Sequence, residues 1–356
     1  MAIVAHTHPF AIGVDTHARS HALAVLDTAT GARIDAAQFP SSKAGTARAV
    51  DWAGRRTGGD LAALWVIEGI GTYGAGLARA AAQAGYPVVE AARMNTRGHR
   101  GVGKSDPLDA QRIAAAVLPL DVTELRHPRR DEGVRAALRV LVAARDHMSG
   151  ERTSNINALT GLVRSNDLGL EAQRPLTTKQ VDEVSKWRTR SEDLGATTAR
   201  AEAARLAKRV LALDEELTAN QAQLNQHISE TPAAGLLDQT GIGPVTAAVV
   251  LAAWSHHGRV RSEGAFACLA GVNPIPASSG NTVRHRLNRG GDRRLNQALH
   301  MAVVTRMRMD PATRAYVERR TAEGRTTKEI RRCLKRYLAR QLYRQLTSAY
   351  TPPQPA

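Results

Sequence analysis

The sequence predicts an α/β domain at its N-terminal end, then long helices, then a basic and mainly α-helical region. Three observations carry this prediction. Short apolar runs alternate with helical patterns over residues 10–127, as in a sheet covered by helices. The apolar share, 43% of 356 residues, comes mostly from Ala, Leu and Val, with 4% aromatics, which favours helices over an all-β fold. The net charge of +16 is unevenly placed: residues 255–346 hold 20 Lys and Arg against 6 Asp and Glu, a local +14. The first 254 residues contribute only +2. One basic third is the footprint of a polyanionic partner.

The elements follow in order. Phe10 to Asp15 reads as a short apolar strand ending in a carboxylate, His21 to Leu26 as a second strand and Arg33 to Phe39 as a third. Ala44 to Arg56 has a helical pattern. Leu61 to Ile67 is a buried-type strand that ends at Glu68, and Gly69, Gly71 and Gly74 turn the chain into a helix reaching about Ala84. Gly85-Tyr86-Pro87 punctuates before a strand at Val88 to Glu90. Three strands, helix, strand, helix, strand, helix is the order of a ribonuclease-H-like sheet, with early antiparallel strands and later parallel ones.

From about Pro128 to Glu230 the pattern is one of long helices, broken by a polar stretch from Arg164 to Thr178. Leu206, Val210, Leu213, Leu217 and Leu224 form a heptad seam with Asn220 at the skipped position. That seam fits a coiled coil for self-association, and equally an amphipathic helix in an intramolecular bundle. From Ala233 the chain is helical and basic, most clearly over Arg293 to Met309 and Thr326 to Leu346. The expected divisions are 1–127 for the α/β domain, 128–232 for the helical, coiled-coil middle, 233–350 for the basic domain, and a disordered tail at 351–356.

Two cysteines, Cys268 and Cys333, supply neither a disulfide framework nor a zinc site, which suits a reducing, cytoplasmic setting, and a DNA partner would make it nucleoid-associated. No apolar run is long enough to span a membrane, and the first residues lack a signal-peptide pattern.

Four acids stand where a metal site would need them: Asp15 and Glu68 at strand ends, and Asp106 and Asp109 three apart on one helix face. Clustered carboxylates repel unless a cation neutralises them, and hard oxygen ligands select Mg²⁺ or Mn²⁺. Two such ions would stabilise the attacking and leaving oxygens of a phosphodiester. Each acid also has a local structural use. Asp106 as N-cap, Pro107 at the first helical position and Asp109 at the third would make a helix start. Asp15 could serve a turn before Thr16-His17, and Glu68 could be a solvated strand end.

Taken together, Gly13-Val14-Asp15-Thr16-His17, Ile67-Glu68-Gly69 and Lys104-Ser105-Asp106-Pro107-Leu108-Asp109-Ala110 resemble the N-terminal DEDD motifs of the insertion-sequence-110 transposases. Those are similar to the RuvC junction-resolvase fold and to Piv-type invertases. The resemblance runs from about residue 10 to about 310. It implies metal binding at Asp15, Glu68, Asp106 and Asp109.

Leu237 to Ala248 carries the Gly241-Ile242-Gly243 turn of a helix-hairpin-helix element, whose second helix would point free N–H groups at a phosphate. A glycine-rich connection without any nucleic-acid contact is the alternative. The hairpin also recurs in the family. The next block, Phe266 to Gly280 followed by Arg284, Arg286, Arg289, Arg293 and Arg294, is similar to the family's Ser-Gly element and its Arg- and Gly-rich continuation. The resemblance makes a serine here the recombination nucleophile: Ser279 by its match to Ser-Gly, with Ser278 as the rival. By its residues alone, Ser-Ser-Gly is a flexible loop. The arginines would hold a scissile phosphate. His256, His257 and His285 read as polar surface residues, and Cys268 as part of the core.

The resemblance implies a DNA transposase or recombinase acting through a serine–DNA intermediate with divalent metal. It further implies an element-encoded noncoding guide RNA, DNA ends and target as partners, and a dimer or tetramer of the chain. Two other readings fit the residues: a metal-dependent, structure-specific nuclease using the four acids alone, and a non-catalytic nucleic-acid-binding scaffold.

Overall fold

The computed structural model describes residues 2–91, 105–130, 132–278 and 285–351. It divides into two compact units, Met1–Arg129 and Arg130–Ala356.

The first unit is built on alternating side-chain size. After a helical turn, α1 (Val4–Thr7), strand β1 (Phe10–Thr16) places Ile12 and Val14 on one face and Ala11, Gly13 and Asp15 on the other. β1 pairs antiparallel with β2 (Ser20–Asp27), and β2 pairs antiparallel with β3 (Arg33–Pro40). Helix α2 (Lys43–Arg56), capped by the Ser42 side chain, leads to β4 (Leu64–Ile67), which lies parallel to β1. Helix α3 (Ala75–Gln83) returns the chain to β5 (Val88–Glu90), parallel to β4. The order β3-β2-β1-β4-β5 is the mixed α/β arrangement the sequence predicts.

The two faces differ. Ile12, Val14, Leu23, Val25, Trp65 and Ile67 bury large side chains against Trp52 of α2 and Leu77 of α3. The other face, small at Ala11, Ala22 and Ala24, receives helix α4 (Asp106–Ala115) through Ala110 and Ala114. The closest approach is at Gly13. A Cβ there would collide with the Ala110 carbonyl and lie 2.7 Å from the Ala114 nitrogen.

The second unit starts with two helices of unusual length, α5 (Gly133–Ser165, 33 residues) and α7 (Leu194–Ser229, 36 residues), joined through the short α6 (Thr178–Ser185). They run antiparallel, since Asn220 Nδ2 donates to the Leu141 carbonyl (3.0 Å), Arg145 Nη1 to the Leu217 carbonyl (2.9 Å), and Arg209 pairs with Glu151 (2.6 Å). The heptad seam is spent inside the chain. Leu206 and Val210 pack with Leu159, Val163 and Val184 at one end, and Leu224 packs with Leu138 and Val142 at the other. Between these apolar ends the two helices face each other through charge, including an Arg152–Asp214 pair.

Helix α8 (Pro244–Trp254) is buried almost all round and forms the centre of the second core. Around it lie α9 (Glu263–Leu269), α10 (Arg293–Met309) and α12 (Thr327–Ala349), with α11 (Pro311–Ala322) beside α10. A two-stranded ribbon of β6 (Ile275–Pro276) and β7 (His285–Arg286) rises between α9 and α10. The helix-hairpin-helix expected at Gly241 takes a different form: only a 3-10 turn, Ala234–Leu236, precedes the glycines. Cys268 also departs from expectation. It is exposed, because α9 turns Phe266 and Ala267 inward. The expected disordered tail lies, beyond Thr351, outside the described residues. No described helix is long and apolar enough to cross a membrane.

Two predictions follow from the first unit. Gly13→Ala should destabilise it by about 1–3 kcal/mol, because α4 must lift off the sheet; urea denaturation measures this. Burial, with His17 nearby, pushes the His21 pKa below its ordinary 6.5. The unfolded chain then protonates first as pH falls. The stability that needs neutral His21 is therefore full above about 6.5 and is lost on acidification through the folded-state value. Denaturation midpoints should fall from pH 7 to pH 5, and by less in His21→Gln.

Candidate functional site

The carboxyl end of β1 is the focus of the first unit. Ligand sites in open α/β sheets lie outside the carboxyl ends of their strands. The face alternation that places Gly13 under α4 also turns Asp15 toward that helix. Asp15 is buried, at 9% exposure. His17, two residues on and exposed, brings Nε2 to 3.2 Å from the Asp15 carboxylate. The same nitrogen lies 3.7 Å from the carboxylate of Asp106 in the first turn of α4. Asp15, His17 and Asp106 each offer one ligand atom, all within 4.8 Å of one another. In the sequence His17 appears only within the Gly13-Val14-Asp15-Thr16-His17 motif. Its signal was its place two residues beyond a strand-end aspartate.

The helix-start reading of the paired aspartates is not what the structure adopts. Ser105, not Asp106, occupies the N-cap and makes no side-chain cap, and Pro107 falls within the first turn. Asp106 is turned to His17, while Asp109 is held by Arg112 in a 2.9 Å pair one turn along. Glu68 follows β4 immediately. Its backbone N–H donates to the Val14 carbonyl (3.0 Å), and its own carbonyl accepts from Thr16 Oγ1 (2.9 Å). Asp15 and Glu68 therefore end neighbouring parallel strands, with the Glu68 side chain exposed. The structure groups Asp15 and Asp106 with His17. Glu68 and Asp109 stand beside that group and are not among its members.

The donor set fits a divalent cation. A buried carboxylate needs a charge partner, and Asp15 has a second carboxylate and an imidazole facing it. Two carboxylates suit Mg²⁺ and Mn²⁺ alike, while an imidazole ligand shifts preference toward Mn²⁺ and later metals.

In the second unit, Gly241 has φ of +84° and packs so closely on α10 that a Cβ would lie 2.6 Å from the Ala302 carbonyl. That packing fully accounts for the glycine. Gly243 is the N-cap of α8, with open space around it. The Ser-Gly excursion is pinched at its base. Gly271 and Gly291 both have positive φ, and a Cβ on Gly291 would lie 2.6 Å from the Leu269 carbonyl. The Asp292 N–H closes the base onto the same carbonyl at 2.7 Å. Ser278 is exposed on this excursion, whereas Ser279 and Arg284 lie outside the described residues. Arg286, Arg289 and Arg293 are exposed nearby in sequence, and Arg294 is paired with Asp146 of α5 at 2.6 Å. His285 and His257 are exposed, as expected of polar surface residues.

Whether His17 ligates metal or only holds Asp15, His17→Ala should weaken Mn²⁺ binding by about 10- to 100-fold, and Mg²⁺ binding by less. Titration of the metal-free protein followed by Mn²⁺ electron paramagnetic resonance reads this directly.

Comparison with known proteins adds the following. Residues 12–165 match the DEDD-type profile described as "Transposase", a span that takes in all four acids. Residues 233–318 match the profile described as "Transposase IS116/IS110/IS902 family", which includes Gly241, Gly243 and the Ser-Gly excursion. The uncharacterized 43.6 kDa protein of insertion element IS110 from Streptomyces coelicolor is 32% identical over 34% of this chain and 30% of its own length. The uncharacterized 42 kDa protein of IS900 from Mycobacterium paratuberculosis is 26% identical over 64% of this chain and 67% of its own length. The uncharacterized 44.8 kDa protein of IS116 from Streptomyces clavuligerus is 27% identical over the same two shares. With a strand-end aspartate meeting a helix-borne aspartate in one half and both profiles matched in order along the sequence, the chain belongs to the IS116/IS110/IS902 family of transposases.

Proposed function

We propose that this protein is the transposase of an insertion element, and that it cuts and rejoins DNA with help from a divalent metal. The observation that carries the reading is the meeting of Asp15, His17 and Asp106 at the carboxyl end of β1, beside Glu68. A bound Mg²⁺ or Mn²⁺ would supply charge neutralisation and Lewis acidity toward a phosphodiester. Asp15 and Asp106 would hold it, and the family resemblance adds Glu68, at the neighbouring strand end, and Asp109, on the same helix as Asp106. His17 would orient the Asp15 carboxylate or complete the ligand set.

The nucleophile in this reading is the Ser279 hydroxyl, supported by the family resemblance at Ser278-Ser279-Gly280. Attack forms an Oγ–P ester and breaks one strand P–O bond, releasing a free strand end. Attack by a second strand end on that ester restores a phosphodiester and frees the serine. Arg284, Arg286, Arg289, Arg293 and Arg294 would neutralise the phosphate as its charge grows. Gly243, at the start of α8, would offer backbone N–H groups to the strand. Sequence choice would pass to an element-encoded guide RNA, which accords with the lack of a base-reading module in the sequence. Acids and serine would work together in a dimer or tetramer, in which they could come from different copies.

The test is covalent trapping on DNA carrying an element end. The expected result is a protein–DNA adduct that needs Mg²⁺ or Mn²⁺, maps to Ser279, and disappears in Ser279→Ala and in Asp15→Asn. Free cut ends with full activity in Ser279→Ala would replace this reading with that of a nuclease using the acids alone. Loss of the adduct in Ser278→Ala but not Ser279→Ala would move the nucleophile by one residue.

A further inference from the structure

A cleft of about 760 Å³ opens in the second unit between the base of the Ser-Gly excursion and helices α11 and α12. One wall is Gly271 to Pro274 and His285 to Asn288. The other carries Arg320, Arg325, Arg332, Lys335 and Arg336, so that with Arg286 six cations line the cleft. Its one lining acid among the described residues, Glu329, accepts from the Thr326 N–H (2.9 Å) and hydroxyl (2.8 Å) in the capping box of α12 and also feels the charges of Arg325 and Arg332, so a single carboxylate stands against six cations. Arg320 is neutralised by Glu323. Among the described residues Lys335 pairs with the amide oxygen of Asn296, at 3.0 Å, and the exposed Arg325 and Arg336 make no salt bridge.

Like charges held this close are costly unless an anion joins them. Lys335 registers that cost: burial, and then the charge of Arg332, hold its ammonium below the usual lysine range. The opposite wall has different chemistry. Leu287 is 52% exposed and His285 is exposed next to it, a surface for a sugar or the flat of a base. Cations on one side and a ring-accepting wall on the other match a nucleotide strand. The volume lies in the range of sites that hold a small ligand, which suits a few nucleotides of one strand.

We propose that this cleft binds the phosphodiester backbone of a single nucleic-acid strand, with phosphates toward α11 and α12 and bases toward the β6–β7 ribbon. The inference rests on the transposase reading and deepens it. It adds cations of α11 and α12 beyond the matched 233–318 segment to the place where a separated strand, DNA or RNA, is held beside the base of the serine excursion.

The experiment measures binding of the full chain to labelled single-stranded DNA, single-stranded RNA and duplex DNA of one sequence, by fluorescence anisotropy across KCl concentrations. In Arg325→Ala/Arg336→Ala, single-strand binding should weaken several-fold. The slope of log affinity against log salt should fall by about 1.4, at about 0.7 per lost single-strand contact. Both side chains are exposed, and an unchanged melting temperature verifies the fold. A matched pair of exposed arginines outside the cleft, Arg188→Ala/Arg190→Ala, should leave the slope nearly unchanged. Loss for DNA alone, RNA alone or both supports the cleft and identifies which strand it takes. An equal loss in the Arg188/Arg190 control, an equal loss for duplex, or no change in the cleft variant overturns it. A wild-type chain that binds none of the three nucleic acids overturns the transposase reading as well, whereas unaltered binding by the cleft variant sinks only the cleft.

Discussion

The first unit depends on how closely α4 approaches β1. Interiors are packed at crystal-like density, so a helix settles at the distance its bulkiest contact allows. On this face the contacts are Gly13, Ala110 and Ala114, and at Gly13 there is no room for even a methyl group. The spacing does more than fill a core. It draws the first turn of α4 down to the end of β1, where Asp106 and Asp15 share the His17 imidazole. A strand with a larger residue at position 13 would keep the sheet and lose the meeting of the acids.

Glycine has the same role in the second unit. Gly271 and Gly291 let two backbone segments touch, which ties off the excursion carrying Ser278 as a loop rooted in α9 and α10. Gly241 lets the turn before α8 lie against α10. These positions bring chain segments together, and the chemistry is carried by polar residues next to them. Asn296 exemplifies this: it donates to the Ala270 carbonyl at 2.7 Å and accepts from Lys335, so the base of the excursion and the basic helix α12 are linked through one side chain.

The long α5–α7 hairpin shows a division between apolar ends and a charged middle. The ends belong to separate cores, one with α6 and one with α8, α10 and α12. Asn220 is buried between them and satisfies only its donor, leaving its amide oxygen without a partner. A buried polar group of this kind fixes register at a cost in stability.

Much of the fold was legible because it follows local rules. Val88 to Glu90, Arg293 to Met309 and the start of α12 at Thr326 lie where apolar period, caps and punctuation put them. The mixed sheet, antiparallel first and parallel later, followed from the order of elements, and Asp15 and Asp106 stood at the strand end and helix start where the structure brings them together. What the heptad seam packs against was not legible, since a helix carries the same pattern whether its partner is another copy or its own chain. Neither was the exposure of Cys268, because a seven-residue helix has too few positions to establish a face. Composition, periodicity and motif spacing by themselves determined a basic protein with an α/β front followed by long helices and a basic helical region, with carboxylates at its strand ends. Only the tertiary structure decided that His17 joins Asp15 and Asp106 while Asp109 turns to Arg112. That choice depends on a backbone contact at Gly13 between segments nearly a hundred residues apart, and no local pattern encodes such a distance.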